Sequence, residues 1–446
     1  MKRSRPRDRS HEPNKRHSRA LPNSDARWHA RDHSWGSRRP DYGDARWPSD
    51  READDCRRRP ADDNRRIHPR DNGYADQGRE RDRWAPPPPP PPPESGPTER
   101  RESTGSRDDS VGHFEGQRGE SVGERYEVLK DVGIGTFGRV VECWDRFEKR
   151  KVAIKVVRRI KKYTESARIE AEILRDVNAS KEPGSELLVK MYYHFEFRGH
   201  CCLVFERLGC SLYDFLKAND YRPFRLSCVR DFARQLLQAV ACLHRMRLIH
   251  TDLKPENVLL CDSGSCVERT ADNSEYRIPV STSIKVIDFG GATYDDEHKS
   301  SIVNTRQYRA PEVILALGWS LPSDLWSIGC IVAELFDGEL LFATHSNTEH
   351  IALMERCLGY FPHAMIDNSK YGSKYFGQNG QSRWQSSLSR DGQRHVRRMR
   401  TLREFVGEHR DTGLLDLLGC LLELDPKRRA TAQEALGMPF VRGRRL

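Results

Sequence analysis

The first part of this chain has very little from which to build a core. Between Met1 and Val122, Leu21, Ile67 and Val111 are nearly the only aliphatic residues, while Arg and Asp crowd stretches such as RSRPRDRS, RRPADDNRR and RERDRW. Such a composition cannot bury enough apolar surface to offset the entropy of ordering, so residues 1–122 read as a disordered Arg/Asp/Ser- and Pro-rich tail. Its run APPPPPPPPE reads as a stiff polyproline II spacer and a ligand for aromatic grooves. Paired cysteines are also missing. The 12 Cys are scattered with no Cys-x-x-Cys ladder, so no zinc site is expected, and Cys261 and Cys266 merely flank a loop. No apolar run is long enough to span a bilayer and no secretory signal is seen, so a soluble intracellular protein with reduced thiols, and no membrane partner, is expected.

Positive charge is what the chain has in excess, with Lys+Arg 76 against Asp+Glu 66 over 446 residues. The Arg/Ser and Arg/Asp mixture of the tail suits a solvated linker or an interaction arm, with nuclear import and weak RNA contact as the readings of the second kind. Tyr and Trp recur there (Trp28, Trp35, Tyr42, Trp47, Tyr74, Trp84) and could stack on partners, although no folded nucleic-acid motif is visible.

From about Arg125 the texture changes. YEVLKDVGIGTFGRVVECWDR and KVAIKVV alternate apolar and polar residues around glycines, the pattern of strands and turns. Gly133, Gly135 and Gly138 form a GxGxxG followed by Val140. A dinucleotide fingerprint would need a helix next, and RVVECWD is a strand pattern instead. A glycine-rich hairpin over phosphates fits better, because backbone amides can approach phosphate oxygens where no Cβ intervenes. Lys155 on the next strand would meet the α/β-phosphates and needs a carboxylate partner. The helical pattern YTESARIEAEILRDV supplies Glu170 as the choice and Glu172 as the reserve. HCCLVFERLG reads as a buried strand leading into a linker between two lobes. Phe205 would narrow the back of an adenine site, whose edge would meet backbone groups of Glu206 and Leu208.

LIHTDLKPENVLL adds Asp252, able to accept the proton of an incoming hydroxyl, Lys254, able to neutralise a transferring phosphoryl, and Asn257, able to hold Mg²⁺. KVIDFGGAT supplies Asp288 as the second metal ligand. Phosphoryl transfer needs these groups because its catalysis is positioning and charge stabilisation. Asp324 in SDLWSIGCIVAEL is expected to cap the catalytic loop from beneath, and Arg429 in LDPKRRAT to pair with Glu312 of YRAPEV. Each piece alone has a bland reading. Their order is the signature of protein kinases.

The chain resembles that family from about residue 124 to 446. EHIALMERCLG, Glu349 to Gly359, resembles the signature EHLAMMERILG of the LAMMER, or Cdc2-like, kinases of the CMGC group, departing at Ile351, Leu353 and Cys357 with small or apolar residues. HTDLKPEN and NTRQYRAPEVILALGW agree. SR-protein kinases also use His-Thr-Asp, but they lack the EHIALMERCLG segment and carry a very long insert between the lobes. The resemblance implies an α+β, bilobal kinase fold over 123–446, with a β-rich N-lobe at about 126–208 and a mainly helical C-lobe at about 209–443. It implies ATP and Mg²⁺ as cofactors and a nucleotide wall of Val132, Gly133, Ile134, Gly135, Thr136, Phe137, Gly138, Val140 and Ala153. It further implies Ser/Thr transfer with tyrosine autophosphorylation, arginine/serine-rich substrates such as splicing factors, and a nuclear location that could extend to the cytoplasm. Three other readings stand beside this one: a pseudokinase scaffold recruiting partners through its tail, a similar kinase acting on chromosome-segregation proteins, and an RNA-binding protein with an accessory kinase domain.

Thr251 stands where kinases commonly carry Arg. That Arg binds an activation-loop phosphate and does not touch ATP or the acceptor hydroxyl. Its loss predicts an enzyme active without a docked loop phosphate, with Ser300, Ser301 and Thr305 as the positions to test. The acidic YDDEHK (Asp295, Asp296, Glu297) reads as a receptor for substrate arginines or as a solvated loop, and the basic RHVRRMR (Arg394 to Arg400) as a docking surface or a solvated face.

Overall fold

A computed structural model describes residues 112–269, 275–297, 299–407 and 412–443. Most of the expected tail, including its proline run and its aromatic residues, lies outside the described residues.

The N-terminal lobe is a six-stranded antiparallel sheet in the order β1-β2-β3-β4-β6-β5. Its strands are β1 Ser121–Val122, β2 Tyr126–Gly135, β3 Gly138–Asp145, β4 Arg150–Val157, β5 Met191–Phe197 and β6 His200–Glu206, with helix α1, Lys161–Ala179, between β4 and β5. In β4 the β-branched Val152, Ile154 and Val156 all turn to one face and are fully buried, as the two-residue period of a strand requires. In α1, Ala167, Ala171, Leu174 and Val177 recur at helical spacing and are buried.

The second lobe is mainly helical. It opens with α2, Leu212–Ala218, started by a capping box between Ser211 and Asp214. The buried α3, Leu226–Arg245, follows. Then come the short strands β7 Leu248–Ile249, β8 Val258–Leu260, β9 Ser265–Arg269, β10 Glu275–Pro279, β11 Ile284–Val286 and β12 Thr293–Tyr294. Strands β9 and β10 form an exposed hairpin that accounts for the extra length between Leu260 and Ile284. Helices α4 Pro311–Ile314, α5 Pro322–Asp337 and α6 Asn347–Leu358 lead to α7 His363–Asn368, α8 Gly372–Tyr375, α9 Trp384–Ser387 and α10 Arg390–Arg398, with four further short helices to Arg442. Helix α5 is buried almost throughout. It ends at Gly338, whose φ of +85° and approach to the Tyr221 carbonyl leave no room for a Cβ.

The folded unit begins earlier than the expected boundary at 123. Phe114 is buried against Phe197 and His200. Arg139 donates to the Phe114 and Gly116 carbonyls at 2.9 and 2.8 Å. The Arg159 amide donates to the Gly112 carbonyl at 2.9 Å. One aromatic residue in a polar run carries no periodicity, so the strap it anchors is invisible to pattern reading.

Candidate active site

A cleft of about 750 Å³ lies between the lobes. Its upper wall is the β2–β3 hairpin, in which Gly135 pairs with Gly138 and leaves Thr136 and Phe137 as the turn. Val132, Gly133, Ile134, Gly135, Phe137, Gly138, Val140 and Ala153 all line the cleft. Thr136 does not: it sits at the turn, and its carbonyl accepts from Arg158 at 3.3 Å. A Cβ on Gly138 would fall 2.4 Å from the Val156 carbonyl, so close strand packing demands glycine there. Gly133 has open space around it, room that a phosphate could use. Val189, Leu259 and Ile287 complete the apolar lining. Leu259 and Ile287 stand beside Asn257 and Asp288 in the sequence, and that neighbourhood is the signal that could have found them. Val189 belongs to no motif.

Phe205, Glu206 and Leu208 line the opposite wall. The Glu206 amide donates to the Lys190 carbonyl at 3.0 Å, and its carboxylate pairs with Lys285 at 2.7 Å. The Glu206 carbonyl and the Leu208 backbone are therefore the groups that could meet an adenine edge.

Deeper in the cleft, Lys155 Nζ donates to both Glu170 oxygens at 2.9 Å and to Asp288 Oδ1 at 3.1 Å. The reserve candidate Glu172 is exposed on the other face of α1. Burial works to lower the Lys155 pKa, but Glu170 and Asp288 outweigh it and raise it, so the ammonium stays charged. Burial also lifts the Glu170 carboxyl, against the pull of Lys155. Partial desolvation works to raise the Asp288 carboxyl, but Lys155 beside it holds it below the usual carboxylate range. Its φ of +65° is uncommon for a residue with a side chain, and such conformations gather at functional sites.

The catalytic loop is held from below. Asp324, fully buried, accepts from the His250 and Thr251 amides at 2.9 and 3.0 Å and from His244 Nε2 at 3.2 Å. The expected partner of Glu312 is also in place, with Arg429 making a bidentate pair at 2.7 and 2.9 Å, both side chains buried. Above this support, Lys254 Nζ donates to Asp252 Oδ2 at 2.7 Å, and Asn257 Nδ2 donates to the Asp252 carbonyl at 2.9 Å. Asp252 is held below the usual carboxylate range: burial opposes this, but Lys254 and then Thr305 prevail.

Thr305 is the site residue that sequence reasoning misplaced. The sequence sets it beside Ser300 and Ser301 as a position of the activation loop. Its hydroxyl instead donates to Asp252 Oδ1 at 2.7 Å and accepts from Lys254 at 3.0 Å, and its amide donates to Asp252 Oδ1 at 2.9 Å. The TRQYRAPEV string gave the only signal, by placing Thr305 just before the 3₁₀ turn Arg306–Tyr308.

Thr251 is saturated with direct contacts. Its hydroxyl donates to the Gly291 carbonyl at 2.8 Å, and its carbonyl accepts from Asn304 Nδ2 at 2.8 Å. The start of the activation segment is thereby tied to the catalytic loop with no phosphate between them. A second tie is Asp295, whose carboxylate accepts from Arg247 at 2.5 Å, Lys299 at 2.6 Å and Ser320 at 2.5 Å. Asp295 therefore cannot serve as an open receptor for substrate arginine. Glu297 accepts from Thr293 and the Tyr294 amide, and Asp296 alone of the three is exposed without such a role.

The oxygen donors suit a hard divalent cation. With its NH₂ committed to Asp252, Asn257 keeps its carboxamide oxygen for a ligand, and the Asp288 carboxylate, 39% exposed, lines the same cleft.

Comparison with known proteins agrees with this geometry. The protein kinase domain family matches residues 126–441. The serine/threonine-protein kinase AFC2 of Arabidopsis thaliana is 45% identical over 351 residues, covering 76% of this chain and 82% of that protein. The dual specificity protein kinase CLK4 of Mus musculus is 44% identical over 345 residues, covering 76% of this chain and 71% of that protein. A kinase-domain crystal structure superposes with a TM-score of 0.69 at 39% identity, covering 74% of this chain and 99% of that one.

Proposed function

Because this chain belongs to the protein kinase family, in its LAMMER and Cdc2-like branch, and so is an ATP-dependent serine/threonine kinase, we propose that it phosphorylates arginine/serine-rich nuclear proteins and also autophosphorylates on tyrosine. The observation that carries the chemistry is the Asp252, Lys254 and Thr305 cluster, tied through Asn257 to the cleft that Lys155, Glu170 and Asp288 line. The mouse relative's designation as dual specificity supports the tyrosine reading.

In the proposed mechanism the glycine hairpin covers the phosphates and Lys155, locked by Glu170, holds the α/β-phosphates. Asp252 orients the acceptor hydroxyl through Oδ2, the oxygen that Thr305 leaves free, and takes its proton as the oxygen bonds to the γ-phosphorus and the bond to the β-phosphate oxygen breaks. Lys254 stays charged beside it and neutralises the transferring group. Mg²⁺, held by Asn257 and Asp288, would supply further neutralisation of the phosphate oxygens. Thr305 fixes the Asp252 rotamer.

The substrate reading is tested with a library of serine peptides differing in flanking residues, offered to the full chain and to Asp252→Asn. Arginine-flanked serines should be preferred at least tenfold, and Asp252→Asn should abolish transfer to all of them. Indifference to arginine would sink the substrate class while leaving the enzyme class standing.

A further inference from the structure

The second lobe carries a groove of about 480 Å³, away from the catalytic cleft, whose chemistry no step above uses. It lies where α6 ends at Gly359 and faces the 377–383 turn and α9. Its cations are Arg356 and Arg383, and its one acid is Glu355. Glu355 is consumed, because both its oxygens accept from the Ser382 amide, at 3.1 and 3.2 Å, and one also from the Ser382 hydroxyl. Arg383 is aimed by its Nε, which donates to the Phe376 carbonyl at 2.7 Å, leaving its two terminal nitrogens for a ligand. Arg356 is exposed and, among the described residues, has no hydrogen-bond or ion-pair partner. Tyr360, 70% exposed, stands at the rim.

Beyond the groove, Glu404 is the acid that senses the charge of Arg356. In the neighbouring basic run Arg394 pairs with Asp391 and Arg400 with Asp337 at 3.0 Å, while Arg397 lies over the ring of the groove residue Trp384 and adds positive charge beside the site. Two guanidinium groups lining one concave site match the oxygens of a phosphate better than a single carboxylate. A serine kinase makes such groups in its own reaction.

We propose that this groove is a docking site for a phosphoserine-bearing segment of a protein that the enzyme has already phosphorylated, so that one modified serine holds the substrate while another is offered to Asp252. The source of the phosphoserine rests on the kinase reading, but binding at the groove does not depend on which substrate the enzyme prefers. EHIALMERCLG, which supplies Glu355 and Arg356, would then serve recognition as well as packing.

The test uses the full chain and a synthetic serine/arginine peptide, with and without one phosphoserine, followed by fluorescence anisotropy. The wild-type chain should bind the phosphorylated form about tenfold more tightly than the plain form. Arg356→Gln with Arg383→Gln should erase that difference, and Arg356→Gln alone, at an exposed position with no partner to lose, should remove at least half of it on a logarithmic scale. Turnover of a short unphosphorylated peptide should be unchanged in both variants, which reports an intact fold. Wild-type discrimination retained in the double variant would place the phosphate elsewhere, for instance on the arginine-rich tail, and overturn the proposal. So would an absence of discrimination in the wild type, or displacement of the peptide by a plain RNA oligonucleotide in an Arg356-dependent manner. Because the phosphopeptide is synthesised beforehand, failure of the substrate reading would not register in this measurement.

Discussion

At the scale of single residues, the site turns on which side chains Asp252 meets. Thr305→Val keeps the backbone amide bond to Asp252 but removes the hydroxyl shared with Lys254. A hydrogen bond to a charged group contributes about 1.5–3 kcal/mol, so kcat should fall about ten- to a hundredfold with KM for ATP little changed, and Thr305→Ser should restore it, as steady-state kinetics would show. Ser300→Ala with Ser301→Ala should keep near-wild-type activity in recombinant protein, because Thr251 reaches Gly291 directly. Collapse of that double variant, with an unchanged melting curve, would mean that the loop needs a phosphate after all. Including Thr305 in the same series would confuse regulation with loss of an Asp252 contact.

Elements are locked to one another by buried polar groups. Arg429→Met should leave the Glu312 carboxylate buried without its partner and cost about 3–5 kcal/mol in chemical denaturation, since both side chains are essentially solvent-free. His350, on α6, presents the opposite case. It is fully buried beside Phe342, and among the described residues neither ring nitrogen has a hydrogen-bond partner. Burial, helped by Arg309 and Arg306, lowers its pKa from 6.5 to about 3. The unfolded chain therefore binds one more proton than the fold between these values, and stability is lost as pH falls below about 6.5. At pH 5 the loss should be about 2 kcal/mol relative to pH 7. His350→Phe should remove that part of the pH dependence, measured by denaturant titration at both pH values within each variant so that any repacking cost cancels.

For the molecule as a whole, the strap at 112–122 decides where the folded unit starts. Phe114→Ala should destabilise it by about 3 kcal/mol, in the range of aromatic truncations in cores. A chain beginning at residue 123 should melt lower than one beginning at 112, as calorimetry would show. Equal melting of the two would mean that Arg139, which clamps the strap from the nucleotide hairpin through Phe114 and Gly116, contributes nothing from that contact. The same clamp joins the strap to the glycine-rich hairpin of the cleft's upper wall.

The kinase reading could be made from the chain alone, because phosphoryl transfer needs particular residue types in short loops whose order survives on paper. Lys155, Asp252, Asn257 and Asp288 were legible in this way. For the partner of Lys155 the sequence offers Glu170 with Glu172 in reserve, and the fold decides for Glu170 by turning it to Lys155 and leaving Glu172 exposed. Periodicity also exposed the sheet, α1 and the buried α5. Tertiary structure alone decided the rest. Thr305 reaches Asp252 across 53 residues; Asp295 is occupied by Arg247, 48 residues away; and Arg139 finds the strap across 25. Contacts of that span follow from how whole elements pack, and no local pattern records them. Thr251 shows the two kinds of knowledge together. Its identity marked a missing phosphate contact, and only the fold revealed the Gly291 carbonyl that takes its place.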